Sequence, residues 1–155
     1  MKKLFLVSFA LIGFAFTIQA QEIADNAIGL RLGDSNGFGA EISYQRALGD
    51  ANRLEFDLGW RNGNNDNSDG YKLTGLYQWV MNLDGGFNWY VGAGGGLADK
   101  LNTYIFAAGD IGIEYNFDIP LQLSLDFRPE IDFGDDTINN DDLDFDIALG
   151  LRYQF

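Results

Sequence analysis

From Ala27 to its last residue the chain alternates between apolar and polar positions. Its final stretch, LDFDIALGLRYQF, sets Leu143, Phe145, Ile147, Leu149, Leu151, Tyr153 and Phe155 against Asp144, Asp146, Ala148, Gly150, Arg152 and Gln154. A period of two is the signature of a β-strand with two unlike faces, and no stretch after the first twenty residues shows the 3.6-residue period of a helix. The alternation predicts eight strands, over residues 27–33, 38–46, 53–61, 71–82, 87–98, 103–117, 121–133 and 143–155. Turn chemistry separates them: Asp34-Ser35-Asn36-Gly37, the polar run NGNNDNSDG after Arg61, Asp84-Gly85, and Asp118-Ile119-Pro120. Pro129 falls inside the seventh strand, where a missing N–H predicts a bulge or local irregularity.

Eight antiparallel strands of this length predict an all-β fold, an up-and-down barrel closed on itself. Alternation alone leaves open which face points inward, and three features decide for the polar one. The apolar face carries Trp60, Trp79, Trp89 and many Phe and Leu residues, too bulky for an eight-stranded interior. The opposite face is rich in glycine, notably Gly92, Gly94 and Gly96. The apolar face is almost free of charge, its main exception being Arg46 at a strand end, and lipid penalises Lys or Arg at the bilayer middle by about 2–4 kcal/mol. Finally, Trp60, Tyr71, Trp79, Trp89, Tyr104 and Tyr115 are read as an aromatic girdle of the kind that marks membrane interfaces. Closure suits a membrane because hydrocarbon offers no partner to an unpaired backbone group. A soluble carrier barrel, apolar inside, is the competing architecture.

The first twenty residues read differently. Met1-Lys2-Lys3 is basic, LFLVSFALIGFAF is an apolar run short for a membrane helix, and Thr17-Ile18-Gln19-Ala20 ends on a small residue. This is the pattern of a cleaved signal peptide over residues 1–20, leaving residues 21–155 as one barrel domain. Composition narrows the function. Cysteine is absent, which excludes disulfides, thiolate metal sites and lipidated cysteine. Asp plus Glu is 23 against 10 Lys plus Arg, a net charge of −13, so nucleic acid is not an expected partner. Histidine is absent too, which removes Ser/His and Cys/His nucleophilic arrangements.

The pattern as a whole resembles the small eight-stranded outer-membrane barrels of Gram-negative bacteria, the OmpA-barrel, OmpX and opacity-protein group. The most specific element is the C-terminus, where Leu149, Leu151, Tyr153 and Phe155 resemble the terminal signal read by the barrel-assembly machinery. The resemblance implies outer-membrane lipid as surroundings, assembly machinery and periplasmic chaperones as partners during biogenesis, a monomer, and both termini in the periplasm. Connections at 34–37, 62–70, 98–102 and 134–142 would then face outward; they are short for an adhesin. The enzymes among small outer-membrane barrels use a histidine, which this chain lacks, so the expectation is no enzyme and no cofactor.

The polar face supplies the main constellation. Arg31, Arg53, Arg61, Lys72, Arg128 and Arg152 would share the lumen with Glu41, Glu55, Asp57, Asp110, Glu114, Asp126, Glu130, Asp132, Asp144 and Asp146. Neighbouring strands place Arg31 between Glu41 and Asp146, and Arg128 beside Asp144 and Asp146. A salt-bridged plug is the favoured reading, over a narrow cation-preferring path suggested by the excess of acids. Asp135, Asp136, Asp141 and Asp142 form an acidic loop with a weak claim to a divalent cation, a solvated loop being the better reading.

Overall fold

The structure, a computed structural model, describes residues 23–35, 38–61, 70–99, 103–133 and 143–155. The expected leader at 1–20 and the acidic candidates Asp135, Asp136, Asp141 and Asp142 lie outside the described residues, as does most of the polar run after Arg61. Eight strands form: β1 (Asn26–Ser35), β2 (Phe38–Ala47), β3 (Asn52–Arg61), β4 (Gly70–Asp84), β5 (Phe87–Asp99), β6 (Thr103–Asn116), β7 (Leu121–Asp132) and β8 (Leu143–Gln154). Each pairs antiparallel with its sequence neighbour, and β8 pairs with β1, so the barrel is closed in the order β1 to β8. Among the described residues there is no helix. The strands overrun the alternation slightly: Asp99, expected in a connection, ends β5, and Gly70 opens β4.

The registers fix the barrel's shape. Stepping across partners from Ile28 leads through Tyr44, Phe56, Gly75, Gly95, Ala107 and Ile131 to Leu143, ten residues short of Tyr153, the direct partner of Ile28. That stagger corresponds to strands tilted by roughly 40° and to an interior just wide enough for packed side chains. One rim, here the terminal rim, carries the start of β1, the end of β8 and the short turns at 48–51, 85–86 and 117–120. The first and last strands are joined there: Asn26 N–H donates to Phe155 O at 3.1 Å and Phe155 N–H to Asn26 O at 2.9 Å. The β4–β5 turn is a two-residue hairpin in which Gly85 and Gly86 both hold positive φ, 57° and 92°. The far rim is where β1, β3, β5 and β7 end.

The polarity is inverted relative to a soluble protein. Ile147 is 64% exposed on the outer wall, while its neighbour Asp146 is fully buried in the lumen. The outer wall is lined by Ile, Leu and Phe from every strand. Trp60 pairs with Tyr71 toward the far rim; Trp79, Trp89 and Tyr115 lie on the outer wall toward the terminal rim, where Tyr115 packs on Phe87 and Phe117 with ring centroids 4.6 and 4.8 Å apart. Tyr104 is the exception to the expected girdle. It shares the inward parity of Phe106 and packs against a small interior cluster of Leu76, Ala98, Phe106 and Ala108. Closeness to a strand end does not turn an aromatic outward; position within the two-residue period does.

At Pro129 the structure shows an irregularity without a bulge. β7 keeps its register with β8 through Arg128, Pro129 and Glu130, but its pairing with β6 lapses opposite Gly109 and Asp110 and resumes in the same register. The missing N–H thus interrupts one ladder locally. Gly109 is the partner position, and a Cβ there would lie 3.3 Å from the proline ring.

Candidate functional site

Among the described residues, the lumen is where this sheet concentrates chemistry away from water. Five bases (Arg31, Arg53, Lys72, Arg128, Arg152) and eight acids (Glu41, Glu55, Asp57, Asp110, Glu114, Asp126, Glu130, Asp146) are buried there. Asp132 and Asp144 are half-buried toward the far rim, and the side chain of Arg61 lies outside the described set. Tilted strands bring residues distant in sequence to one height, and four arginines organise the interior.

Arg31 holds three carboxylates. Its Nη1 donates to Glu41 at 2.8 Å and also to Asp146, and its Nε and Nη2 both bind Asp126 Oδ1. Arg128 crosses the lumen: Nη2 meets Glu55 Oε1 at 3.0 Å and Asp57 Oδ2 at 2.7 Å, both on β3, with Glu41 at 3.6 Å from Nη1. Arg152 donates to Ser43 Oγ at 2.9 Å, Ser124 Oγ at 2.8 Å and Glu55 Oε2 at 3.1 Å, joining β2, β7 and β3 to β8. Arg53 meets Glu114 at 2.7 Å, donates to Gln78 at 2.6 Å and stacks over the ring of Tyr90, 4.8 Å from its centroid. The expected neighbour contacts of Arg31 with Glu41 and Asp146 are present. The transverse contacts of Arg128 and Arg152 do not follow from the sequence, because adjacency on the sheet says nothing about which side chains meet across the barrel.

Toward the terminal rim the charges give way to carboxamides. Asn82 donates to Asn88 at 3.0 Å, Asn88 to Glu114 at 3.1 Å, Gln154 to Asn116 at 2.7 Å and Gln122 to Asn116 at 3.4 Å. Beyond them opens a bowl of about 840 Å³ bounded by the turns and chain ends, with Asp25, Asp50 and Asp118 among apolar Leu48, Ile119 and Phe155. Toward the far rim a small apolar cluster sits among the remaining charges. Leu76, Ala98, Phe106 and Ala108 pack together, and Lys72 lies over the Phe106 ring while pairing with Glu130 at 2.7 Å. Alternation gives this cluster no role, since Leu76 and Phe106 break the polar run of the inner face; the break is the available signal. No cluster of three or more carboxylates among the described residues has metal-binding geometry.

Of the C-terminal residues, Leu149, Leu151, Tyr153 and Phe155 all face outward and are 51–60% exposed. Leu149, Leu151 and Tyr153 pair with Leu32, Leu30 and Ile28 of β1, so they flank the closing seam.

No protein-family model matches the chain, and no curated protein matches it in sequence. Solved structures do share its fold. The chain is similar to a de novo designed transmembrane β-barrel, with a TM-score of 0.63 at 16% identity over 88% of this chain and 100% of the other. It is similar to the N-terminal β-barrel domain of Pseudomonas aeruginosa OprF, with a TM-score of 0.63 at 14% identity over 85% and 98% of the two chains. It is also similar to Neisserial surface protein A, with a TM-score of 0.57 at 14% identity over 84% and 94%. At these identities the likeness establishes the fold: a small, closed, eight-stranded barrel.

Proposed function

We propose that this protein is an outer-membrane barrel of the OmpA-barrel type, with a structural, non-catalytic role in the cell envelope and a closed lumen. The observation that carries the reading is the inversion of polarity along every strand, with aliphatic and aromatic side chains outside and a salt-bridged core inside. A soluble carrier would need the opposite, an apolar cavity within a polar wall. The closed backbone ladder leaves no sheet edge to hydrocarbon, and the two aromatic bands suit the two interfaces of a bilayer. The fold shared with solved transmembrane and surface-protein barrels supports the same placement.

Closure of the lumen rests on packing. The side chains of Arg31, Arg128 and Arg152 are at most 1% exposed, and each is held by at least two partners from other strands. No histidine is present to serve as a base or nucleophile activator, and the charged groups are shut away from substrate. The barrel acts as a monomer surrounded by lipid, with assembly machinery and periplasmic chaperones as its partners during biogenesis.

The test has two arms. Expressed with its leader in a Gram-negative host, the protein is expected in the outer-membrane fraction, migrating as a compact species in SDS until boiled. Refolded into a planar bilayer, folded and inserted protein is expected to pass no discrete current. Recovery from the soluble periplasm would overturn the placement, and reproducible cation-selective steps would overturn the closed lumen in favour of a small pore.

A further inference from the structure

The outer wall is not equally tall all round at the terminal rim. β3 starts at Asn52, opposite Trp79, yet β4 runs on for five residues past Trp79 to Asp84 before turning back into β5. Each rung descends toward the far rim by about one residue per strand, so the net step is about four residues, roughly 10 Å along the barrel axis. On β1, β2 and β3 the last outward positions before this rim are polar: Asn26, Arg46 and Asn52. On the other five strands the wall stays apolar to its lip, at Leu83, Phe87, Phe117, Leu121 and Phe155. Leu48, in the turn beyond Arg46, lines the bowl inside the rim, as do Asp25 and Asp50.

Arg46 is the centre of the low lip. Arg31, Arg53, Lys72, Arg128 and Arg152 all pair with carboxylates in the lumen. Arg46 is exposed on the outer wall and has no carboxylate partner among the described residues. A neutral carboxamide positions it: Arg46 Nη1 donates to Asn26 Oδ1 at 2.9 Å, and Tyr44 Oη donates to the same oxygen at 2.7 Å. Its Nε and Nη2 have no partner among the described residues. Trp79, opposite Asn52, brings an interfacial side chain to the same level.

A cation at the edge of hydrocarbon needs water or an anion, and a guanidinium fork matches phosphate oxygens in shape and charge. Lipid meets a wall whose apolar height is too short by thinning beside it. We infer that the β1–β3 side of the terminal rim is a lipid-phosphate site: Arg46 Nε and Nη2 hold the phosphate of a phospholipid, and the leaflet at that rim dips there by up to roughly 10 Å. The barrel thus has one thin side and deforms its membrane in one direction. The site presupposes the membrane placement proposed above and adds where lipid is bound.

Two measurements test it, in vesicles of phosphatidylethanolamine and phosphatidylglycerol. The chain has no cysteine, so single spin labels can be placed without background. Ile28 on β1 and Ile113 on β6 face outward on the low and the high side of the wall, at nearly the same height once the descent of the rungs is allowed for. A label at Ile28→Cys is expected to be several-fold more accessible to a water-soluble nickel chelate than one at Ile113→Cys, which meets chiefly oxygen dissolved in hydrocarbon. Two labels equally shielded from the chelate overturn the dip. Two labels equally open to it, and closed to dissolved oxygen, overturn the membrane placement itself, so the two failures are distinguishable. Solid-state NMR with arginine side chains labelled in nitrogen is expected to show dephasing of one guanidinium by lipid phosphorus, lost in Arg46→Gln. Absence of dephasing, or dephasing unchanged in a folded Arg46→Gln barrel, overturns the phosphate site. The label comparison keeps Arg46 in place and so stands even if that variant does not fold.

Discussion

Arg128 on β7 and Asp57 on β3 form an ion pair across the full width of the barrel. Their strands are four apart, the largest separation eight strands allow, and their side chains meet at 2.7 Å. They stand 71 residues apart in the chain. Such a strut makes barrel closure and side-chain pairing interdependent: the pair forms only when the whole circle has closed.

Truncating that strut leaves buried carboxylates without their base. Arg128→Met is expected to destabilise the folded barrel by about 3–5 kcal/mol, because Asp57 and Glu55 both lose a partner. Arg128→Lys is expected to recover part of the loss, since both contacts come from the single nitrogen Nη2 and an ammonium keeps the charge but not the reach. Reversible urea unfolding in lipid vesicles, followed by tryptophan fluorescence, measures both. A loss below about 1 kcal/mol for the methionine variant, the scale of an exposed pair, would show that the strut contributes nothing.

The outer wall provides a depth test. Ile147→Arg, near the middle of the wall, is expected to cost about 2–4 kcal/mol in a bilayer, whereas Phe133→Arg, at the far rim, costs about 0–1 kcal/mol. A protein with a watery exterior would tolerate both. Equal, small effects at the two sites in the same unfolding assay would contradict burial of this wall in hydrocarbon.

Gly29 sits at the closing seam, where a Cβ would lie 1.9 Å from the carbonyl oxygen of Leu151. Backbone cannot step aside there without parting β1 from β8. Gly29→Ala is therefore expected to lose about 1–3 kcal/mol or more, the cost of overpacking, and to reduce the compact band on unboiled gels. Gly49, in a turn at the terminal rim, has nothing within 4 Å of the same position, and Gly49→Ala is the neutral control.

The lapse at Pro129 predicts a gain. Pro129→Ala returns a backbone donor to the β6–β7 ladder, and a restored hydrogen bond contributes about 0.5–1.5 kcal/mol. Amide hydrogen exchange at the backbone N–H that this substitution creates reports whether the ladder closes; rapid exchange with unchanged stability would mean that the strands stay apart for another reason.

The strands were legible in the sequence because one physical rule, period-two alternation between lipid-like and polar surroundings, runs through all eight. Arg31 and its contacts to Glu41 and Asp146 followed from that rule, since β1 lies between the strands that carry them: Glu41 is the register partner of Arg31, and Asp146 shares the inward face of β8, four residues from the partner Gly150. The strut from Arg128 did not, because tilt and stagger decide which heights coincide across the lumen, and those depend on every register together. Leu76 and Phe106 were illegible for a related reason. A large apolar residue on the polar face fits only where the facing strands offer glycine, as Gly96 does beneath the Phe106 ring. Tyr104 shows the limit of reading aromatics by distance from a strand end.

The pairing of Asn26 with Phe155 leaves the start of β1 and the end of β8 side by side. A short linker would join them, and a new start could be cut at the exposed 48–51 turn, giving a circular permutant with the same eight staves in a different order. Such a molecule would keep β8 in the wall while removing Phe155 from the end of the polypeptide. It would separate being a part of the wall from the role proposed for the last strand, that of the label by which the unfinished wall is recognised. Efficient folding of the permutant in pure lipid, together with its failure to mature in cells, would show that the wall needs the residues of β8 and the cell needs their position.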